Sequence, residues 1–544
     1  MLKVISVEHM RAVESAADAS GLSYDRMMEN AGRALANRVI QLLAGRADAR
    51  ITVLVGPGNN GGDGLVAARI IAQETPAQVR CYLLKPRPDD DRNFVAAREA
   101  RVFLAYAEPD RDGRVLRNMV ASSDVLLDAL YGIGVRLPLR ADSARLLRAV
   151  NQALNDDQLP SDQAGRIITP DVPEPAPRLR PYVIAVDCPS GLDCNTGALD
   201  PNTIPADETL TFIAAKPGLF EFPGATAVGQ LRVATIGISD RLPELQSEIR
   251  TLADGEAVSE MLPSRSANAN KGTFGRALIV AGSTHYVGAA GLSAMAAYRG
   301  GVGLVTVASP APVITALSGR LLEPTWLPLP SENGVLQPDA QSTLSEYFPR
   351  YDAALLGPGW GVHPGTRGLM ERFLSTVPDS DAPSRWIIDA DGLNLLASLP
   401  DALTRLPANA VLTPHPGEMS RLTNRTVAEV LSNRWPLTRD CAAAWNAVVV
   451  LKGAHTLITA PDGRQSVLPF KTDALATAGT GDVLAGLIVG FLAQGVEPFE
   501  ASVTAGYLHG LAGVLAAERH GNTRSVIAGD VLDSIPVALS RLEA

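Results

Sequence analysis

The sequence predicts an α/β protein of two domains, each an open, mainly parallel sheet covered by helices. Three observations carry that expectation. Short Val-, Leu- and Ile-rich runs recur along the whole chain, each followed by turn residues. Stretches of helical period lie between them, as expected for parallel strands joined by helical crossovers. The 544 residues suffice for two units of about 250 residues, each able to bury a sizeable core. Apolar residues make up 46% and charged residues 19%, which excludes a wholly disordered chain.

In the first half the strands are read at ITVLV (51–55), VRCYLL (79–84), VLLDAL (125–130) and YVIAV (182–186), with helical patterns between them such as 25–44. The polar, Pro-rich stretch 151–181 reads as a surface loop inside this domain, because a core strand follows it. The boundary is expected near 240–262, giving domains 1–240 and 262–544 and a linker at 241–261. The second half repeats the alternation at 276–282, 303–309, 353–359, 386–391, 410–418 and 447–453. No internal repeat relates the halves, and their glycine motifs differ.

Charge and cysteine content narrow the function. Lys and Arg number 48 against 58 Asp and Glu, a formal charge of −10 with no polybasic tract. Neither nucleic acid nor an anionic membrane is expected as main partner. The 4 Cys form no CxxC pair and no cluster with His at zinc spacing, so neither a disulfide framework nor a structural metal is expected. The N-terminus lacks an apolar core of signal-peptide length, and the longest apolar stretch, 483–493, is too short to span a bilayer. A cytoplasmic protein is expected. Lys occurs only at positions 3, 85, 216, 271, 452 and 471, so each lysine is informative.

The richest stretch of the first half is ITVLVGPGNNGGDG, a strand running into a loop with glycines at 56, 58, 61, 62 and 64. Such a loop brings backbone N–H groups close to an anion, and the following helix adds its dipole. The G-x-G-x-x-G match also fits an ordinary Rossmann redox site, but the acid expected after the second strand is missing; that strand ends LLKP. A plain strand–helix turn remains open, although it would not need Asn59, Asn60 and Asp63. Asp128 and Asp187 end two further strands, where open sheets bind ligands; as single residues they read equally as helix caps. Asn60, Asp128 and Ser190 offer oxygen ligands for a hard cation, K+ or Mg2+.

MENAG (28–32), GPGNNGGDG (56–64), DALYGIG (128–134) and VDCPSGLD (186–193) resemble the epimerase domain of the NAD(P)H-hydrate repair proteins, over nearly all of residues 1–240. The resemblance implies a Rossmann-like three-layer fold. It implies that Asn59, Asn60, Gly61, Gly62 and Asp63 hold the hydrated dinucleotide, together with Gly132, Ile133, Gly134, Val135, Arg136, Leu137 and Pro138. Asn60, Asp128 and Ser190 would bind K+, and Asp187 would touch the hydrated ring and is the candidate for proton transfer. Tyr131 stands where the family usually has Phe.

In the second half ATAGTGDVLAG (476–486) is the strongest signal. Gly479, Thr480 and Gly481 would present N–H groups at a helix N-terminus to a transferring phosphoryl group, with Asp482 beside them as a base. A Gly-rich helix start capped by Asp is the bland alternative. Lys452 ends a buried strand and can offset phosphate charge, or it is a snorkelling surface lysine. His415 and Glu418 lie in a Pro-kinked loop, where His415 reads equally as a satisfied loop histidine. Asp389 and Asp391 end another strand and could hold Mg2+ through water.

KGTFGRALIVAGS, the glycine-rich stretch 286–309, LLGPGWG, DADGLNLL, TPHPGEM, LKGAHT and AGTGDVLAG together resemble the ribokinase-like dehydratase domain of the same repair family, over about 262–535. The resemblance implies Ala290, Gly359, His415 and Asp482 at the hydrated substrate. Lys452, Gly453, Ala454, His455, Thr456, Gly479, Thr480 and Gly481 would lie at the nucleotide. Gly392 replaces the usual Ala, and Trp360 replaces the common Leu, a change expected to alter the pocket wall. The activity implied is repair of NADHX and NADPHX: R/S epimerisation at C6 and ADP-dependent dehydration of the S epimer, with Mg2+ and K+, in a homo-oligomer. Two other readings compete. One is a ribokinase-like vitamin kinase, and the other makes the N-terminal domain a mere binding or oligomerisation module.

Overall fold

The computed structural model describes residues 1–156, 180–376 and 385–544. Most of the Pro-rich stretch, 157–179, lies outside the described residues. The chain forms two compact units that part between Glu248 and Ile249.

Among the described residues the central sheet of the N-terminal unit has seven strands: β1 (Arg50–Val55), β2 (Gln78–Leu83), β3 (Phe103–Tyr106), β4 (Val125–Ala129), β5 (Tyr182–Val186), β6 (Glu208–Phe212) and β7 (Gln230–Ala234). They pair in the order β3-β2-β1-β4-β5-β6-β7, every pair parallel. The central strands are apolar on both faces because helices cover both. In β1, Val53 and Val55 join one core layer and Leu54 the other. Strand order reverses between β1 and β4, which opens a crevice at their carboxyl ends.

Two strands have no clear apolar run. Strand β3 is a short edge, with Phe103 57% exposed. In β6 the sequence ETLTF buries Glu208 completely; Arg38 grips that carboxylate through Nε at 2.7 Å and Nη2 at 2.6 Å. A buried, paired acid with alternating threonines hides a central strand from hydropathy.

The C-terminal unit continues with β8 (Arg250–Leu252), β9 (Arg276–Val280), β10 (Leu304–Pro310), β11 (Thr325–Leu329), β12 (Ala353–Leu356), β13 (Arg385–Ile388), β14 (Val411–Leu412), β15 (Val448–Leu451), β16 (Leu457–Thr459) and β17 (Gln465–Val467). Their order is β8-β17-β16-β15-β14-β13-β12-β9-β10-β11. Among the described pairs in this order, those of β16 with β15 and with β17 are antiparallel and the rest parallel. The stretch read as a linker is folded within: β8 and the helix Gly255–Met261, capped by Asp254, belong to this unit. The apolar stretch 483–493 lies in the helix Thr480–Ala493, buried nearly all round and packed on the small-residue helix Val287–Arg299. Among the described residues no helix is long and apolar enough to cross a membrane.

Candidate active sites

In the N-terminal unit β1 runs almost directly into the helix Asn59–Glu74, whose cap residue Gly58 provides no side-chain acceptor. The first-turn N–H groups of Asn59, Asn60 and Gly61 therefore face the crevice mouth with the positive end of the helix dipole. Close approach fixes Gly61, since a Cβ there would lie 2.1 Å from the Gly56 carbonyl oxygen. Asn59, Asn60, Asp63, Gly132, Ile133, Gly134 and Asp187 line one cavity of about 880 Å³. Gly61 and Gly62 are buried behind that wall. Val135 and Arg136 line a smaller cavity nearby, and Leu137 and Pro138 line neither.

Asp187 sits just past β5 with φ at 64°, a left-handed conformation that turns its carboxylate inward. Its Oδ1 accepts from Lys216 Nζ at 2.6 Å and from Thr211 Oγ1 at 3.0 Å. Lys216 is 1% exposed and also donates to Thr211 Oγ1 and the Phe212 carbonyl. The other oxygen, Oδ2, faces the gap left by Gly132; a Cβ there would be 3.2 Å from it and from Asn60 Oδ1. Burial, and then the charges of Asp187 and Glu14, push the Asp63 carboxyl well above its ordinary range. Burial and Asp187 push Glu14 the same way. Lys216 and Glu14 have no place in the motifs. The scarcity of lysine was the available signal for Lys216, and nothing marked Glu14.

Asp128 Oδ2 accepts from the Ser190 N–H at 2.9 Å, and Oδ1 from Ser190 Oγ at 2.6 Å. Burial raises the Asp128 pKa, and among the described residues no basic side chain offsets its charge. Asn60 Nδ2 is buried with no hydrogen-bond partner among the described residues. The Ser190 Oγ accepts from the Tyr131 N–H at 2.9 Å, next to the Gly132 gap that Asn60 faces. An uncompensated buried carboxylate with a hydroxyl and an amide nearby fits a hard monovalent cation. The hydroxyl of Tyr131, extra relative to Phe, hydrogen-bonds Ser143 Oγ at 2.6 Å.

In the C-terminal unit the ends of β13, β14 and β15 meet the head of the helix Thr480–Ala493. Its cap Gly479 has φ at 93° and no side-chain acceptor, so the first-turn amides are open. Lys452, just past β15, donates from Nζ to Asp389 Oδ1 at 2.7 Å and lies 3.8 Å from Glu418 Oε2. Asp389, just past β13, also accepts from Thr413 Oγ1 at 2.6 Å. Burial works against the Lys452 charge, yet Asp389 and Glu418 hold its pKa above the ordinary value. Burial first, then the charge of Asp389, push Asp482 up to about 7. His415, Lys452, Gly453, Ala454, Thr456, Gly479, Thr480 and Gly481 line a cavity of about 440 Å³ whose far wall is apolar, with Phe470 and Leu475. Open amides at one end and an apolar wall at the other suit a nucleotide.

Other residues singled out by the sequence stand around or outside this cavity. The His455 ring turns into the fold, with Nδ1 3.1 Å from the Leu468 carbonyl oxygen, and burial pushes its pKa down to about 3. Ala290, fully buried in the main core, and Gly359 lie outside the nucleotide cavity, as residues expected at the hydrated substrate and not at the nucleotide. His415 lines it but is also a helix cap, its Nδ1 accepting from the Gly417 and Glu418 N–H groups. Trp360 does not shape this cavity wall; it is 1% exposed and donates from Nε1 to the Val280 carbonyl at 2.8 Å. Asp391 accepts from the Gly361 N–H at 2.8 Å, which fixes the 355–361 loop. Among the described residues no three His, Cys, Asp or Glu side chains form a metal cage.

The NAD(P)H-hydrate dehydratase family model matches residues 277–536, and the model of the YjeF-related protein N-terminus matches 24–218. The bifunctional NAD(P)H-hydrate repair enzyme of Moorella thermoacetica is 36% identical over 530 residues, covering 95% of this chain and 92% of the relative. That of Salinibacter ruber is 36% identical over 534 residues, with the same coverage, 95% and 92%. Among solved structures, an ADP/ATP-dependent NAD(P)H-hydrate dehydratase from Bacillus subtilis is 32% identical, covers 54% of this chain and 99% of its own, and has a TM-score of 0.46. The chain belongs to the bifunctional NAD(P)H-hydrate repair enzymes, with an epimerase domain in its N-terminal half and a dehydratase domain in its C-terminal half.

Proposed function

We propose that the C-terminal cavity dehydrates the S epimer of hydrated NADH and NADPH at the expense of ADP, and that the N-terminal crevice interconverts the R and S epimers at C6. The observation that carries the first part is Asp482: a carboxyl raised to about 7 at the head of an uncapped helix, near Lys452. Hydroxide leaves poorly and phosphate leaves well. Asp482 takes the proton of the C6 hydroxyl as that oxygen attacks the terminal phosphoryl of ADP. The amides of Thr480 and Gly481 and the Lys452 ammonium balance the charge that develops. Phosphate then leaves C6 and a proton leaves C5, restoring the double bond and giving NAD(P)H, AMP and phosphate. ADP rather than ATP follows the bacterial proteins that the sequence resembles. A divalent ion would arrive on the nucleotide and be held through water by the Asp389–Asp391 region, since the described residues form no direct cage.

In the crevice C6 is a hemiaminal carbon. Asp187, its Oδ1 held by Lys216, takes the hydroxyl proton as the C6–N1 bond opens to an aldehyde. N1 takes a proton from Asp63, whose carboxyl burial pushes upward. Closure on the other face returns both protons and gives the other epimer. Asn60, Asp128 and Ser190 would hold K+, which supplies a fixed charge that orders the loops.

The test follows recovery of reduced-nicotinamide absorbance from an R/S mixture of hydrated NADH with Mg2+, K+ and either ADP or ATP. Full recovery with ADP, faster than spontaneous epimerisation, is expected. Recovery of only the S fraction sinks the epimerase reading. A stable phosphorylated product in place of released phosphate favours the vitamin-kinase reading.

A further inference from the structure

A second cavity, of about 330 Å³, opens beside the epimerase crevice and shares Pro57, Tyr131 and Gly134 with it. Its lining carries three cations, Lys85, Arg136 and Arg140, against a single acid, Asp142. All three cations are exposed, and among the described residues their side chains make no hydrogen bond or ion pair. Asp142 is itself 3.4 Å from Arg145. The cavity therefore has spare positive charge. The neighbouring Arg87 is different, because Asp91 and the carbonyls of Gly56 and Gly58 hold it against the glycine loop.

Place in the sheet says what that charge can recognise. In dinucleotide-binding sheets the end of the second strand faces the adenosine ribose; an acid there accepts from the 2′-hydroxyl, whereas a cation receives a 2′-phosphate. Strand β2 is followed here by Leu84, Lys85, Pro86 and Arg87, with no acid. From β2 to β5, which leads into Asp187, is three strand steps, about 14 Å at about 4.8 Å each. A dinucleotide laid along the strand ends would thus place its hydrated ring at Asp187 and its pyrophosphate at the Asn59–Gly61 amides. Its adenosine ribose would then reach Lys85.

We propose that Lys85 and Arg140, with Arg136, form a phosphomonoester subsite that takes the 2′-phosphate of hydrated NADPH and makes it the preferred epimerase substrate over hydrated NADH. This inference rests on the epimerase reading of the crevice. Inorganic phosphate shares the recognised chemistry and is the alternative occupant.

Epimerisation is measured in the full chain without nucleotide, so that the dehydratase is idle, by chromatographic separation of the R and S forms of each hydrate. The wild type is expected to show a KM for hydrated NADPH about tenfold below that for hydrated NADH, the scale of two exposed charge pairs. The double variant Lys85→Ala/Arg140→Ala is expected to raise only the NADPH-hydrate KM, by about the same factor, and to leave kcat unchanged. Equal KM values in the wild type, or both KM values moving together in the variant, overturn the proposal. Adenosine 2′-phosphate is expected to compete in the wild type and not in the variant; inorganic phosphate competing equally well gives the site to free phosphate and overturns it. If the wild type epimerises neither hydrate, the epimerase reading fails on its own account. The subsite is then read by titrating adenosine 2′,5′-bisphosphate with the dehydratase saturated by ADP and Mg2+: loss of binding in the double variant supports it, and unchanged binding overturns it.

Discussion

In the dehydration proposed above Asp482 is the base, and its raised pKa gives that chemistry a sign. A base works only when deprotonated, so kcat/KM for dehydration should rise with pH and level off above about 7. The same shift acts on stability in the opposite direction. A carboxyl held above its ordinary value favours the protonated native state, so its contribution is full below the ordinary carboxylate range and is lost as pH rises through about 7. Asp482→Asn should lower kcat by about 10²–10⁴-fold and flatten the pH profile, read by absorbance recovery at saturating substrate. In the crevice, Lys216→Met should abolish epimerisation and cost about 3–5 kcal/mol in denaturant unfolding, because it strands a buried carboxylate. Asp128, Asp187, Lys452 and Asp482 were legible in the sequence because each closes an apolar run or opens an apolar helix. Lys216 was not, since it follows β6, whose buried Glu208 and two threonines conceal the strand.

At the scale of elements, the two helices proposed to carry the anion sites both begin on a glycine without a capping side chain. Ser6, Ser23, Asp91 and Asp254 cap other helices by accepting a first-turn N–H, while further helices, such as Arg114–Ala121 after Gly113, also start without a side-chain cap. What sets Gly58 and Gly479 apart is position, since each opens its first-turn amides onto a cavity, at some cost to the helix alone. Gly479→Ala must place a Cβ at φ 93° and 2.7 Å from Leu292 Cδ1. It should destabilise the unit by about 1–3 kcal/mol and raise the KM for ADP, measured by thermal unfolding and by steady-state kinetics. The glycine loops were readable from spacing as strand–helix turns, although spacing left open whether they hold a ligand. The histidines were not: a strand-end position favoured His415 and the family resemblance His455, but side-chain direction, fixed only by packing, turned His455 inward.

For the whole molecule, the division into two chemistries matches the division into two cores. Each buried cluster among the described residues draws its members from one unit alone, for instance Ile51, Val53 and Leu127 in one and Ala277, Val305 and Ile488 in the other. Calorimetry should therefore show ADP with Mg2+ raising the unfolding temperature of one transition and leaving a second in place. A single transition moved as a whole by ADP would count against independent cores. Alternating apolar runs made both sheets legible. The exact seam was not legible, because three strand residues and a short helix after Glu248 carry too little pattern to be told from a linker.

The helix that bears Asp482 is buried along almost its entire length, wrapped by the sheet and by Val287–Arg299. Its reacting carboxylate is consequently not a hinge, a flap or a tuneable loop. On heating, dehydration should persist until the core itself melts, so that loss of catalysis and loss of fold coincide instead of the first foreshadowing the second.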